Sequence, residues 1–160
     1  MEPISGEIVE KTWKKMAGMS PLEAEKIGSL MQKEQPYVLV YLLAVGDANN
    51  FTQDEKEVLL YLGTVVWQIM SQGNTPLPKV TDKMLDEVEE KNMKMLEYLD
   101  SEPEGSFIES VEKIFANYNQ KNVLRYVIET IMEDKECLIR DEYKGIMAIY
   151  LKTIIDCFDV

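Results

Sequence analysis

Apolar positions in this chain recur at the three-to-four-residue spacing of an amphipathic α-helix almost from end to end. The clearest stripe is Tyr143, Ile146, Met147, Tyr150, Leu151, Ile154, Ile155 and Phe158. It predicts a helix over Asp141–Phe158 with one continuous buried face. A wider apolar arc runs through Val58, Leu59, Tyr61, Leu62, Val65, Val66, Trp67, Ile69 and Met70. That width marks Gln53–Ser71 as a central helix with neighbours on more than one side, and puts Trp67 deep in the core. The run Tyr37–Val45 has almost no polar face and is expected to be buried as well.

Capping signals divide the pattern into eight helices. Ser20-Pro21-Leu22-Glu23 is a capping box with proline at the first helical position, and Thr52-Gln53-Asp54-Glu55 and Ser106-Phe107-Ile108-Glu109 repeat the motif. The predicted helices are Ile4–Ala17, Pro21–Lys33, Pro36–Val45, Gln53–Ser71, Asp82–Leu99, Phe107–Tyr118, Gln120–Glu133 and Asp141–Phe158. Two stretches rich in breakers, Gln72–Pro78 and Asp100–Gly105, read as linkers. They flank Asp82–Leu99, whose first half carries Asp82, Asp86, Glu87, Glu89 and Glu90, so that helix is expected to connect two more apolar units.

The units show traces of duplication. At a shift of 87 (112 − 25), Glu25-Lys26-Ile27 matches Glu112-Lys113-Ile114, Val40 matches Val127, Asp47 matches Asp134, and Asp54-Glu55 matches Asp141-Glu142. The expectation is an internal repeat of three helices, 21–71 against 107–158, within a single domain spanning 1–160. A solenoid is disfavoured, because such arrays need at least three stacked repeats.

Composition narrows the chemistry. The 160 residues include no histidine and only two arginines, Arg125 and Arg140, which removes the commonest general base and metal ligand and most bidentate anion clamps. A net charge of −12 disfavours nucleic-acid backbones and anionic membranes, and suits a solvated surface or a basic protein partner. The apolar runs Pro36–Val45 and Val58–Met70 are too short to span a bilayer. No secretion signal is read in Met1–Lys15, which carries Glu2, Glu7 and Glu10. Cys137 and Cys157 fall at opposite ends of the last predicted helix and are expected to be free thiols, as in a reducing cytoplasm.

Each candidate site meets a structural alternative. Asp47, Asn49, Asp54 and Glu55 place oxygen ligands between two helices, but a twelve-residue calcium loop counted from Asp47 has Phe51 at position 5, Thr52 at position 6 and Val58 at position 12. A helix end at Gly46 followed by the Thr52 cap explains the residues better. Glu129 and Glu133 flank the stripe of their helix, and Arg125 lies four residues before Glu129, which points to a solvent-side pair. A hydrolase triad lacks its base, the cysteines lack a histidine, and neither phosphate-loop fingerprint occurs. Ten methionines suit core gap-filling or an adaptable surface. Met93 is read as falling off the core stripe of its helix, and Trp13 as an anchor or an oligomer contact.

The expectation is therefore an all-α, compact multi-helix bundle acting as a non-catalytic cytoplasmic interaction protein or regulatory adaptor. Its partner would be another protein or a second copy, with no nucleic acid, no membrane and no cofactor, and no catalytic or metal-binding residue is assigned. The alternative is a small-molecule binder or enzyme with a pocket between the helical halves. For either, the contact residues are Tyr41, Tyr61, Trp67, Met93 and Tyr150. A nucleic-acid mimic would need its carboxylates arrayed on one face, and Asp82–Glu90 is the only dense run.

Overall fold

In the computed structural model the eight helices are α1 (Gly6–Ala17), α2 (Pro21–Glu34), α3 (Pro36–Ala48), α4 (Gln53–Met70), α5 (Asp82–Ser101), α6 (Glu104–Asn117), α7 (Lys121–Met132) and α8 (Asp141–Phe158). The structure describes the backbone of all 160 residues and every side chain except those of Glu104, Ser106, Phe107 and Ile108. The expected Ser106 cap is corrected by the backbone: α6 begins at Glu104 with Pro103 at its N-cap and no side-chain cap, and α5 runs to Ser101, so most of the expected linker Asp100–Gly105 is helical.

Local chemistry sets most of the boundaries. The Thr52 hydroxyl accepts from the Glu55 amide at 3.1 Å and the Glu55 carboxylate accepts from the Thr52 amide at 2.8 Å, a complete capping box. At Ser20 the box is half-made. The hydroxyl accepts from the Glu23 amide, but the Glu23 carboxylate accepts from that hydroxyl instead of from the Ser20 backbone. Helix α3 runs past the expected stop at Gly46 to Ala48. It closes there because Asn50 adopts φ 54°, letting the Phe51 amide reach the Gly46 carbonyl and the Asn50 amide the Asp47 carbonyl. Asparagine supplies the left-handed residue that was expected to involve glycine.

Helices α4 and α8 pack against each other at the centre. Trp67, Leu59, Val65 and Ile69 from one, with Met147, Leu151, Ile154 and Phe158 from the other, are buried. Helix α1 packs on α4 and α7, while α5 packs on α8 and α3; α3 also lies along α4, and α7 along α8. The two halves thus share helix order and most packing partners, and α5 takes the place that α1 has in the first half. It does more than connect: it packs on α8, α3 and α6, buries Leu85, Asn92 and Leu99, and Asn92 donates to Thr153 of α8. Helix α2 departs from the correspondence: it packs on α3, whereas α6 packs on α5. Asp54-Glu55 and Asp141-Glu142 occupy the first turns of α4 and α8.

The predicted linker Gln72–Pro78 leads into a segment that is fastened down. The buried Gln35 amide donates to the Pro78 carbonyl at 2.9 Å, its oxygen accepts from the Val80 amide at 3.1 Å, and Val80 is fully buried. The chain ends are joined in the same way. Buried Gln120 accepts from the Ile4 amide and donates to the Glu2 carbonyl and Asp159, and the Met1 amine donates to the Val160 carbonyl at 3.2 Å.

Candidate interaction surface

A polar seam joins α3, α5 and α8. The Tyr41 hydroxyl donates to Glu89 at 2.7 Å, the Tyr41 and Tyr150 rings meet edge to face at 6.0 Å, and the Asn49 amide donates to the Tyr150 oxygen at 2.6 Å. Further along, Lys152 donates to Asn92 and Asp156, both at 2.8 Å, and lies 5.0 Å over the Tyr118 ring. Asn92 donates to Thr153 and Asp156, and the Tyr118 hydroxyl donates to Asp156. Burial pushes the Tyr41 and Tyr118 phenols far above their ordinary value, and the adjacent Glu89 and Asp156 carboxylates push them further. Both therefore stay protonated as donors. Lys152, Asn92 and Asp156 spend their polar groups on one another and on neighbouring side chains, so the seam fixes the register of α5 on α8 and offers no free base or nucleophile.

Three of the four oxygen-bearing residues of the loop that suggested a cation site are engaged within the protein, and the fourth, Asp54, is exposed in the first turn of α4. Asp47 pairs with Lys56 at 2.7 Å, and Asn49 is held by Val45 and Tyr150. Glu55 turns inward and is fully buried, with Arg140 at 2.7 and 3.2 Å and the Arg140 amide at 2.9 Å. Burial pushes its carboxyl up, but the Arg140 guanidinium and the Thr52 and Arg140 amides outweigh that and hold it at about 2. Arg140 in turn stacks 4.2 Å over Tyr143. Among the described residues no group of three or more acidic or thiol side chains is placed to share a metal ion.

One row of apolar side chains that the interior does not consume lies on the surface of α3. Val38, Leu42 and Val45 are buried, but Tyr37, Val40 and Leu43 are 46%, 61% and 52% exposed, with exposed Ala44 and Ala48 continuing the same side. The expectation that the whole Tyr37–Val45 run is buried is therefore corrected. α2, α4, α5 and α8 cover only part of the helix, and nothing lies over the rest. Leu22 and Leu30 of α2 are exposed as well.

Two grooves meet at Tyr61, which is 41% exposed. One, of about 560 Å³, is lined by Met16, Met19, Ile27, Met31, Leu39 and Leu60. The other, of about 540 Å³, has Trp13 and Tyr126 with Glu129, Glu133, Asp134 and Glu136 around it. The Trp13 and Tyr126 rings stack with centroids 6.2 Å apart.

The five residues expected to form one contact site are dispersed. Tyr41 and Tyr150 touch, and Tyr150 is buried; Tyr61 borders the two grooves; Trp67 is 2% exposed within the core. Met93 packs against the core, correcting its placement off the stripe: α5 faces α3 as well as α8, so its buried arc is broader than one seam. Arg125 and Glu129 are both exposed, but no ion pair joins them within 4 Å among the described residues. Sequence reasoning missed the α3 surface, although a helix without a polar face can signal a missing partner as well as burial. It also missed the Glu55–Arg140 pair, whose 85-residue separation leaves no local signal. The chain matches no family model, no curated protein and no solved structure.

Proposed function

We propose that this is a non-catalytic protein that works through protein–protein contact, and that the outward side of α3 seats a second copy of the chain. The observation that carries the reading is the exposed row Tyr37, Val40 and Leu43. Contiguous exposed apolar surface of this kind marks contact sites in folded proteins. A second copy suits it because Asp47, already paired with Lys56, is the one charged residue of α3. Two such helices related by a twofold axis bring no like charges to their centre despite the overall charge of −12, and Ala44 and Ala48 permit close approach. The exposed Cys137 thiol and the free, buried Cys157 suit a reducing compartment such as the cytoplasm, and no helix among the described residues is long and apolar enough to cross a membrane.

Sedimentation velocity tests the reading. Wild-type protein is expected at twice its 18.5 kDa chain mass, and the Val40→Lys/Leu43→Glu variant at chain mass with an unchanged circular-dichroism spectrum. Wild-type protein that remains monomeric at about 100 μM, where a micromolar dimer would be saturated, refutes it.

A further inference from the structure

The two grooves that meet at Tyr61 differ in chemistry in a way that specifies a partner. The first has no charged lining residue; buried Met16 and Met31 form its floor and half-buried Met19 carries a flexible thioether at its edge that adapts to apolar groups of varied shape. The second combines the aromatic rings of Trp13, Tyr61 and Tyr126 with the carboxylates of Glu129, Glu133, Asp134 and Glu136, against Lys135 as its one basic residue. Glu129, Glu133 and Glu136 are exposed, and no ion pair among the described residues neutralises them. Aromatic faces beside unneutralised carboxylates attract cations twice over, through the ring quadrupole and through charge.

We infer that these adjoining grooves seat a basic amphipathic segment of a partner protein, its apolar side chains in the methionine groove and its lysines or arginines against the Tyr61–Glu133 end. The inference rests on reading the chain as an interaction protein, but it uses a different surface from the α3 self-contact. Charge complementarity selects the occupant: an acidic or neutral segment leaves the second groove unmatched, and a small polycation leaves the first one empty. A segment long enough to enter both must carry apolar and basic residues side by side.

Calorimetry with a synthetic leucine–lysine peptide of about four helical turns tests this, with the corresponding leucine–glutamate peptide and spermine as comparison ligands. The lysine peptide is expected to bind saturably and to lose affinity as salt rises, while the glutamate peptide does not bind and spermine binds at least about tenfold more weakly. Tyr61→Ser and the triple variant Glu129→Gln/Glu133→Gln/Glu136→Gln are each expected to weaken the peptide about tenfold or more. The triple variant Asp82→Asn/Glu87→Gln/Glu90→Gln on α5 removes the same charge elsewhere and should change affinity less than about twofold.

Equal losses in the two triple variants would reduce the binding to general charge attraction and overturn the inference. So would spermine binding as tightly as the peptide, or no binding by the wild type. Sedimentation of the same samples separates the two proposals. A dimer that ignores the peptide overturns only the groove, and a monomer that binds it overturns only the α3 contact. The salt dependences also differ in sign, because screening relieves repulsion between two copies of charge −12 but weakens a basic peptide on an acidic groove.

Discussion

Replacing Glu55 by glutamine tests whether one buried carboxylate ties the turn before α4 to the turn before α8. Glu55 is fully buried and accepts from the Thr52 amide, the Arg140 amide and the Arg140 guanidinium. Its carboxyl is held at about 2 against an ordinary 4.5, a difference of 2.5, which corresponds to about 3 kcal/mol of stability at neutral pH. Because the folded-state value is depressed, this stability is fully present above about pH 4.5 and is lost as pH falls from there towards about 2. Glutamine keeps the shape but turns an NH₂ towards the donors, leaving at least one buried N–H unpaired. Breaking a buried ion pair costs roughly 3–5 kcal/mol when the other charge stays buried. Arg140 is 44% exposed and recovers hydration, so a loss of about 2–4 kcal/mol is expected for Glu55→Gln at pH 7. Urea unfolding followed by far-ultraviolet circular dichroism, with matched slopes, measures it. The difference between wild type and variant should also close as pH falls from about 4.5 towards 2, since the protonated wild type loses the same interaction. A loss below about 0.5 kcal/mol at pH 7, or a difference that persists unchanged at the acid end, refutes the reasoning.

Trp67→Ala removes a fully enclosed ring from the central helix and is expected to cost about 3–5 kcal/mol in the same urea assay. Gly63→Ala places a methyl 2.5 Å from Leu42 Cδ1, at a buried side chain with little room to move; a loss of about 1–3 kcal/mol is expected, partly recovered by Leu42→Val. A thiol reagent should modify Cys137 at once in native protein and Cys157 only on unfolding, because burial and the neighbouring Asp156 push the Cys157 thiol up to about 12. The correspondence of α1, α3 and α4 with α5, α7 and α8, from which α2 and α6 depart, is proposed to reflect the duplication expected for 21–71 and 107–158. Since the Met1 amine and Val160 carbonyl are 3.2 Å apart, a permutant joined there through a short linker and opened between Asp100 and Pro103 should keep the native spectrum; an unfolded permutant would show that chain order matters to the packing.

Helix positions were legible because they depend on local chemistry. The three-to-four-residue stripes, the Thr52 capping box and the prolines at Pro21 and Pro36 lie within a few residues of the boundaries they set. The burial of Trp67 was legible for the same reason, since an apolar arc wider than one face must meet more than one neighbour.

Tertiary structure decided what periodicity leaves open: which neighbour an apolar face meets, and whether it meets one. Val38 and Val40 are similar residues two positions apart on α3, yet one is fully buried and the other 61% exposed, because neighbouring helices cover only part of α3. Glu55 reads only as a first-turn capping carboxylate until Arg140 arrives from the other half of the chain. Trp13 reads as an anchor or an oligomer contact until α1 and α7 stack it on Tyr126 beside one acidic groove. A stripe states that a helix has an apolar side; only the packed arrangement determines which part of it remains for a partner.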